Sequence, residues 1–156
     1  FLGDTQRDCR CTPDQIRRYR TRLSGPLIDR IDMQVPVSRS SSGALLDPAA
    51  GGESSERVRA RVTAGHRRQL ERQGRTNAQL DYNALASACS LTRAGETLLR
   101  TAADRLALSG RSVHRVLRVA RTIADLENSP AVDDAHVSEA LGFRGLDQAD
   151  AGSPLC

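Results

Sequence analysis

In the stretch LSGPLIDRID, residues 23–32, Arg30 stands between Asp29 and Asp32 in an otherwise apolar run. An unpaired buried charge costs several kcal/mol, roughly. A guanidinium at that point is therefore either locked in a local ion pair with Asp29 or Asp32, or presented to something outside. The outward reading has a definite chemistry. A rigid arginine stabilises the charge that spreads over the γ-phosphate oxygens during phosphoryl transfer, and such a residue is often supplied by a neighbouring subunit. A second arginine, Arg111, follows Ser109 and Gly110 at the start of a helical pattern. Helix N-termini attract phosphate, and an arginine there adds charge and a bidentate fork. As a merely exposed first-turn residue it would be slightly disfavoured by the helix dipole.

Other chemistry-bearing groups are less determined by their spacing. Cys9 and Cys11 form a CxC pair, which is half of the four ligands a structural zinc site needs or simply two loop thiols. The helical pattern that starts at Glu53 carries Arg57, Arg61, Arg68 and Arg72, which could track a nucleic-acid backbone or form a solvated face. Aromatic residues for base stacking are scarce, with two Tyr, two Phe and no Trp in 156 residues. His66, His114 and His136 have no ligand or triad spacing and receive no catalytic role.

Composition excludes some functions. All 23 basic residues are Arg, so the chain cannot contain a GxxxxGK[ST] phosphate loop, which needs its lysine. No run of about 18 apolar residues offers a membrane span. Four cysteines without a secreted spacing pattern fit a reduced, cytoplasmic protein. Net charge is +4, with basic residues concentrated in the first half and acids spread almost evenly over both, an asymmetry that fits contact with a polyanion. The chain opens on Phe1 with no signal-peptide pattern, and reads as a segment cut from a longer protein.

The elements that must position these groups are mainly helical. Thr12, Pro13, Asp14 and Gln15 supply a cap, a first-turn proline, a dipole-matched acid and a capping box, and Pro26 ends that helix. Residues 31–37, IDMQVPV, alternate as a short edge strand. Lacking a ladder partner, residues 1–37 are not expected to fold natively alone. Residues 38–52 are a Ser/Gly/Pro-rich linker, and 53–144 a helical bundle expected to fold by itself. Its helices span 53–73, 82–88, 93–107, 110–127 and 134–143, the later ones capped by Asp81, Thr92, Ser109 and Asp133. The 110–127 helix is apolar over more than half its circumference, as expected for a central helix, with a polar stripe of Arg111, His114, Arg115, Arg118, Arg121 and Asp125. Residues 145–156 read as a disordered tail.

Four stretches together carry a resemblance: CRCTPDQIRRYRTRLSGPLIDRIDMQV, GESSERVRARV, RQGRTNAQL and LALSGRSVHRVLRVARTIADLENSPAVDDAHVSEAL. Over about residues 1–144 the chain resembles the C-terminal part of the magnesium-chelatase-like AAA+ ATPases of the ComM (YifB) type. The resemblance implies a mainly α fold: a helical lid bundle preceded by a small α/β remnant of the ATPase core. It implies a parent protein that binds ATP and Mg²⁺, assembles as a hexameric ring, and works as a DNA helicase or branch-migration motor in recombination of transforming DNA. LIDRID places Arg30 as the trans arginine finger, and SGRSVHRVLRVA places Arg111 as sensor 2. Cys9 and Cys11 would be the second half of a CxC…CxC zinc cluster. The phosphate loop, the Mg²⁺ ligands and the sensor Asn would all lie before Phe1, so this chain alone is expected not to hydrolyse ATP. Two other readings stand beside this one: the motor subunit of a metal chelatase, and a non-enzymatic helical module that binds DNA or protein.

Overall fold

A computed structural model describes residues 8–22, 25–37 and 52–144. The expected 38–52 linker, save Gly52, and the expected tail lie outside them. The described residues are mostly helical. Helix α1 is Pro13–Arg20 and α2 the short turn Gly25–Ile28, followed by α3 at Ser55–Gln73, a 3-10 turn at Asn77–Gln79, α4 at Tyr82–Ala88, α5 at Arg93–Arg105, α6 at Gly110–Leu126 and α7 at Asp134–Gly142. The caps at Thr12, Asp81, Thr92, Ser109 and Asp133 are those the sequence indicates. Thr12 and Gln15 form a reciprocal capping box, and Ser54, Asp81, Thr92, Ser109 and Asp133 each accept a first-turn amide.

Helix α6 is the hub. Val116, Leu117, Val119, Ala120, Ile123 and Ala124 share one core with Leu85 of α4, Leu99 of α5 and Val137, Ala140 and Leu141 of α7. An isolated parallel bridge between Leu91 and Val132 ties the entries of α5 and α7, with the Thr92 amide donating to the Val132 carbonyl at 2.9 Å. At that crossing a side chain has no room on Gly95. A Cβ there would lie 3.0 Å from the Val132 oxygen and 3.1 Å from the Asp133 carbonyl carbon, both backbone atoms. Alanine adds up to about 1 kcal/mol of helix propensity, but overpacking against backbone costs ~1–3 kcal/mol. Gly95→Ala is expected to destabilise the bundle by about 1–2 kcal/mol, read as a lower urea midpoint at unchanged m-value.

One expectation is corrected. Residues 31–37 form no strand, and no strand occurs among the described residues. The alternation is nevertheless real: Ile31, Met33, Val35 and Val37 are exposed, while Asp32 and Gln34 are partly buried. The segment is extended and two-faced, and without a ladder partner it is tied to the bundle by bonds such as that from the Gln34 amide to the Phe143 carbonyl at 2.8 Å. Within the polar stripe of α6, Arg121 and Asp125 are buried, each 1% exposed. Correspondingly, α3 does not pack through its valines. Val58, Val62 and Leu70 are exposed, whereas Gly65 and Gln69 are buried.

Candidate functional site

The site is built where the segment after α2 meets the start of α6. The Arg30 amide donates to Leu27 O at 2.9 Å and the Ile31 amide to Ile28 O at 3.0 Å, so Arg30 sits in the tight turn that ends α2. Its side chain is exposed. The residues around it are held by the bundle. Asp29 accepts Ser112 Oγ at 2.9 Å and Ser109 Oγ at 3.1 Å. Asp32 pairs with Arg115 and lies 3.8 Å from Arg118. Arg144, fully buried at 0% exposure, donates to Ile31 O at 2.8 Å and to Ser112 Oγ at 3.1 Å. Both carboxylates that flank Arg30 in the sequence thus reach α6.

Ser109 is the N-cap of α6, with its Oγ accepting the Ser112 amide at 3.1 Å. Arg111 is the second residue of that helix and is exposed. The structure therefore joins the Arg30 turn to the Arg111 helix terminus through one carboxylate, that of Asp29. An exposed guanidinium on a pinned turn, and another in the first turn of a helix, are each suited to phosphate oxygens. Sequence reasoning missed Ser112 and Arg144. The only signal was an arginine directly after the apolar end of the last helix, and nothing local says what it meets.

The helix α3 arginines divide. Arg57 is exposed, and Arg61 grips Glu53 with two bonds of 2.8 and 2.9 Å. Arg68 donates to the Asp125 backbone oxygen at 2.8 Å. Arg72 clasps the Asp125 carboxylate in a fork of 2.5 and 2.9 Å, joined there by Asn77 at 2.9 Å and by Arg121 at 3.0 Å. Arg68 and Arg72 are thus committed to the α3–α6 contact in this structure. Burial alone would raise the pKa of Asp125, but the bonds from Arg72 and Asn77 and the charges of Arg121 and Arg72 outweigh it and hold the carboxyl below its ordinary value.

Cys9 is half-buried and Cys11 exposed, and both are free thiols. The Cys9 thiol is held below its usual value, chiefly by a bond from the Cys11 backbone, while Cys11 is raised by its side-chain bond to Cys9. Two thiols are half a tetrahedral set, and no group of three candidate metal ligands gathers among the described residues, so these residues by themselves do not fit a zinc site. Two of the histidines make contacts within the fold. His136 is buried, accepts the Asp133 amide at Nδ1 and bonds Glu127 through Nε2, both at 3.0 Å, and His114 stacks on Tyr82 with centroids 4.1 Å apart. Among the described residues, no helix is long and apolar enough to cross a membrane.

Comparison with known proteins places this arrangement. Residues 52–144 match the family model described as magnesium chelatase, subunit ChlI C-terminal, and residues 1–45 match that of magnesium chelatase, subunit ChlI. The chain is 40% identical over 139 residues to protein YifB of Salmonella typhimurium, covering 89% of this chain and 28% of the relative. It is 39% identical over 137 residues to competence protein ComM of Haemophilus influenzae, covering 88% of this chain and 27% of the relative. Protein Rv2897c of Mycobacterium tuberculosis is 42% identical over 143 residues, or 88% of this chain and 28% of that protein. The chain therefore spans little more than a quarter of the length of these relatives. A family model covering more than half of the residues, with the α6-centred bundle and the Arg30 turn inside the matched ranges, establishes that the chain belongs to the magnesium chelatase (ChlI-like) family shared with YifB and ComM.

Proposed function

We propose that this chain is the finger-and-lid segment of an ATP-driven DNA motor, with Arg30 reaching the ATP of a neighbouring subunit in a hexameric ring and Arg111 sensing nucleotide from the lid. The observation that carries the reading is the pinned turn: Arg30 is exposed while Asp29, Ile31 and Asp32 around it are fastened to the helix that presents Arg111. Phosphoryl transfer asks the protein for positioning and charge stabilisation, and a guanidinium on an immobilised turn supplies both. The nucleotide and its Mg²⁺ supply the transferable phosphoryl group and its charge neutralisation. Arg30 and Arg111 are the residues of this chain that would face the phosphates. The phosphate cradle, which needs a lysine, falls to the part of the parent protein outside this chain. DNA contact by α3 falls to its outer face, where Arg57 and Arg61 lie, since Arg68 and Arg72 are engaged by Asp125.

The test is ATP hydrolysis and strand displacement by the full-length parent protein. DNA-stimulated turnover, with DNA affinity that falls steeply with salt, supports the motor. The same ATPase without any response to DNA favours the second reading, to which the matched family description points: the motor subunit of a metal chelatase. Absence of ATPase leaves a non-enzymatic interaction module. For Arg111→Ala, loss of one charge-assisted bond to phosphate, about 1.5–3 kcal/mol, predicts nucleotide binding weaker by roughly 10–100-fold. Unchanged nucleotide affinity with normal turnover would refute the sensor role.

A further inference from the structure

We infer that Asp29 is the positioning residue of Arg30 and that Ser112 and Arg144 are the seat that holds it, so that finger turn and lid helix move as one body. The inference rests on the reading of Arg30 as the trans finger.

The bonds around Asp29 form a closed set. A serine hydroxyl has one proton to donate and lone pairs to accept with. Ser112 Oγ gives its proton to Asp29 Oδ1 at 2.9 Å and accepts from Arg144 Nη2 at 3.1 Å. Ser109 Oγ gives its proton to Asp29 Oδ2 at 3.1 Å and accepts the Ser112 amide at 3.1 Å. With both protons directed at Asp29, the 3.2 Å approach of the two hydroxyl oxygens is a contact without a donor. Each oxygen of the carboxylate is thus taken by the cap of α6. Arg144, 3.9 Å from Asp29 Oδ1, adds positive charge behind it.

The other side of the turn is fixed just as firmly. Arg144 Nη1 holds the Ile31 carbonyl at 2.8 Å, and Arg115 holds Asp32. The backbone is therefore anchored immediately before and immediately after Arg30, and the anchors belong to α6 and to the residue that follows α7. A turn held only by its own two backbone bonds could pivot; one tied at Asp29, Ile31 and Asp32 carries Arg30 wherever the bundle goes. Arg144 is a buried charge, which costs free energy unless paired, and two of its bonds go to the turn and to the serine beneath it. This places on one rigid body the residue proposed to reach a neighbour's triphosphate and Arg111. A nucleotide-driven rotation of the bundle in one subunit then displaces the finger at the next subunit's site.

The experiment is a double-mutant cycle in the full-length protein with Arg30→Ala, Asp29→Asn and the double variant. Steady-state ATP turnover is measured together with affinity for a fluorescent ATP analogue. Ser112→Ala is run in parallel, because it removes the same support from the other partner. A misplacement of about 1 Å at a transition-state contact costs on the order of 10²-fold. The expected result is therefore kcat lower by about 10–100-fold in Asp29→Asn and in Ser112→Ala with nucleotide affinity unchanged, and a double variant no slower than Arg30→Ala alone. A KM or affinity loss without a kcat loss, or a double variant slowed by the product of the single effects, would overturn the positioning role. So would full turnover in Asp29→Asn and Ser112→Ala while Arg30→Ala is inactive. Full turnover in Arg30→Ala itself is a different outcome, since it removes the finger reading on which the inference stands.

Discussion

Replacing Arg30 by alanine in the full-length protein is expected to lower ATP turnover by on the order of 10³-fold or more, with nucleotide binding largely intact. The magnitude follows from what a guanidinium does at a phosphoryl-transfer site. It meets charge that is greater in the transition state than in bound ATP, so its removal raises the barrier and leaves ground-state binding nearly unaltered. The structure supports the geometric half of this expectation. Arg30 is exposed on a turn whose neighbours Asp29, Ile31 and Asp32 are bonded to α6 and Arg144. Arg30→Lys is a sharper control, because it keeps the charge but loses the planar fork. If Arg30→Ala hydrolyses ATP at the wild-type rate, Arg30 is a structural residue and the motor reading loses its catalytic group.

The second large effect belongs to the bundle. Asp125 is 1% exposed and receives Arg72, Arg121 and Asn77, while Arg121 is itself 1% exposed and also donates to the carbonyls of Ser129 at 2.6 Å and Pro130 at 3.0 Å. Asp125→Ala removes the only acid in this group and leaves a buried guanidinium facing a half-buried one. Breaking a buried pair from one side costs about 3–5 kcal/mol. That is a large part of the ~5–15 kcal/mol that holds a domain of this size together. Urea denaturation of the chain is expected to show a loss of that order. A loss under about 1 kcal/mol would mean that the network is solvated in solution.

The same carboxyl gives the bundle a predictable response to acid. Its folded pKa lies below the ordinary value of 3.8. The folded state therefore binds its proton less readily than the unfolded chain. The stabilisation from Asp125 is present in full above pH 3.8 and is lost as pH falls from there through the folded pKa. Asp125→Asn should flatten that part of the stability profile as well as lowering its plateau.

Much of this architecture is legible in the sequence because it is local. Caps at Thr12, Ser54, Asp81, Thr92, Ser109 and Asp133 are decided by a few adjacent atoms, and the structure uses Thr12, Asp81, Thr92, Ser109 and Asp133 as the residue types predict. The apolar breadth of α6 announces a central helix for the same reason. What the sequence hides is long-range pairing. Arg72 and Asp125 are 53 residues apart, and Arg144 and Ile31 are 113 apart, so no periodicity connects them. A basic helix such as α3 looks alike whether its arginines face water, DNA or a buried aspartate. The edge strand at 31–37 failed differently: its alternation is present, but a strand needs a partner to become one. At the candidate site, Arg30 and Arg111 were visible through their types and their places beside a turn and a cap. Ser112 and Arg144 were not, because their roles exist only once the turn is folded back onto α6.

The most direct measurement is the structure of the assembled full-length protein bound to a non-hydrolysable ATP analogue. The account predicts the Arg30 guanidinium within hydrogen-bonding distance, about 3 Å, of a γ-phosphate oxygen held by the adjacent subunit, with Asp29 still seated on Ser109 and Ser112. An Arg30 side chain folded against its own bundle, with no neighbouring nucleotide within reach, would contradict it.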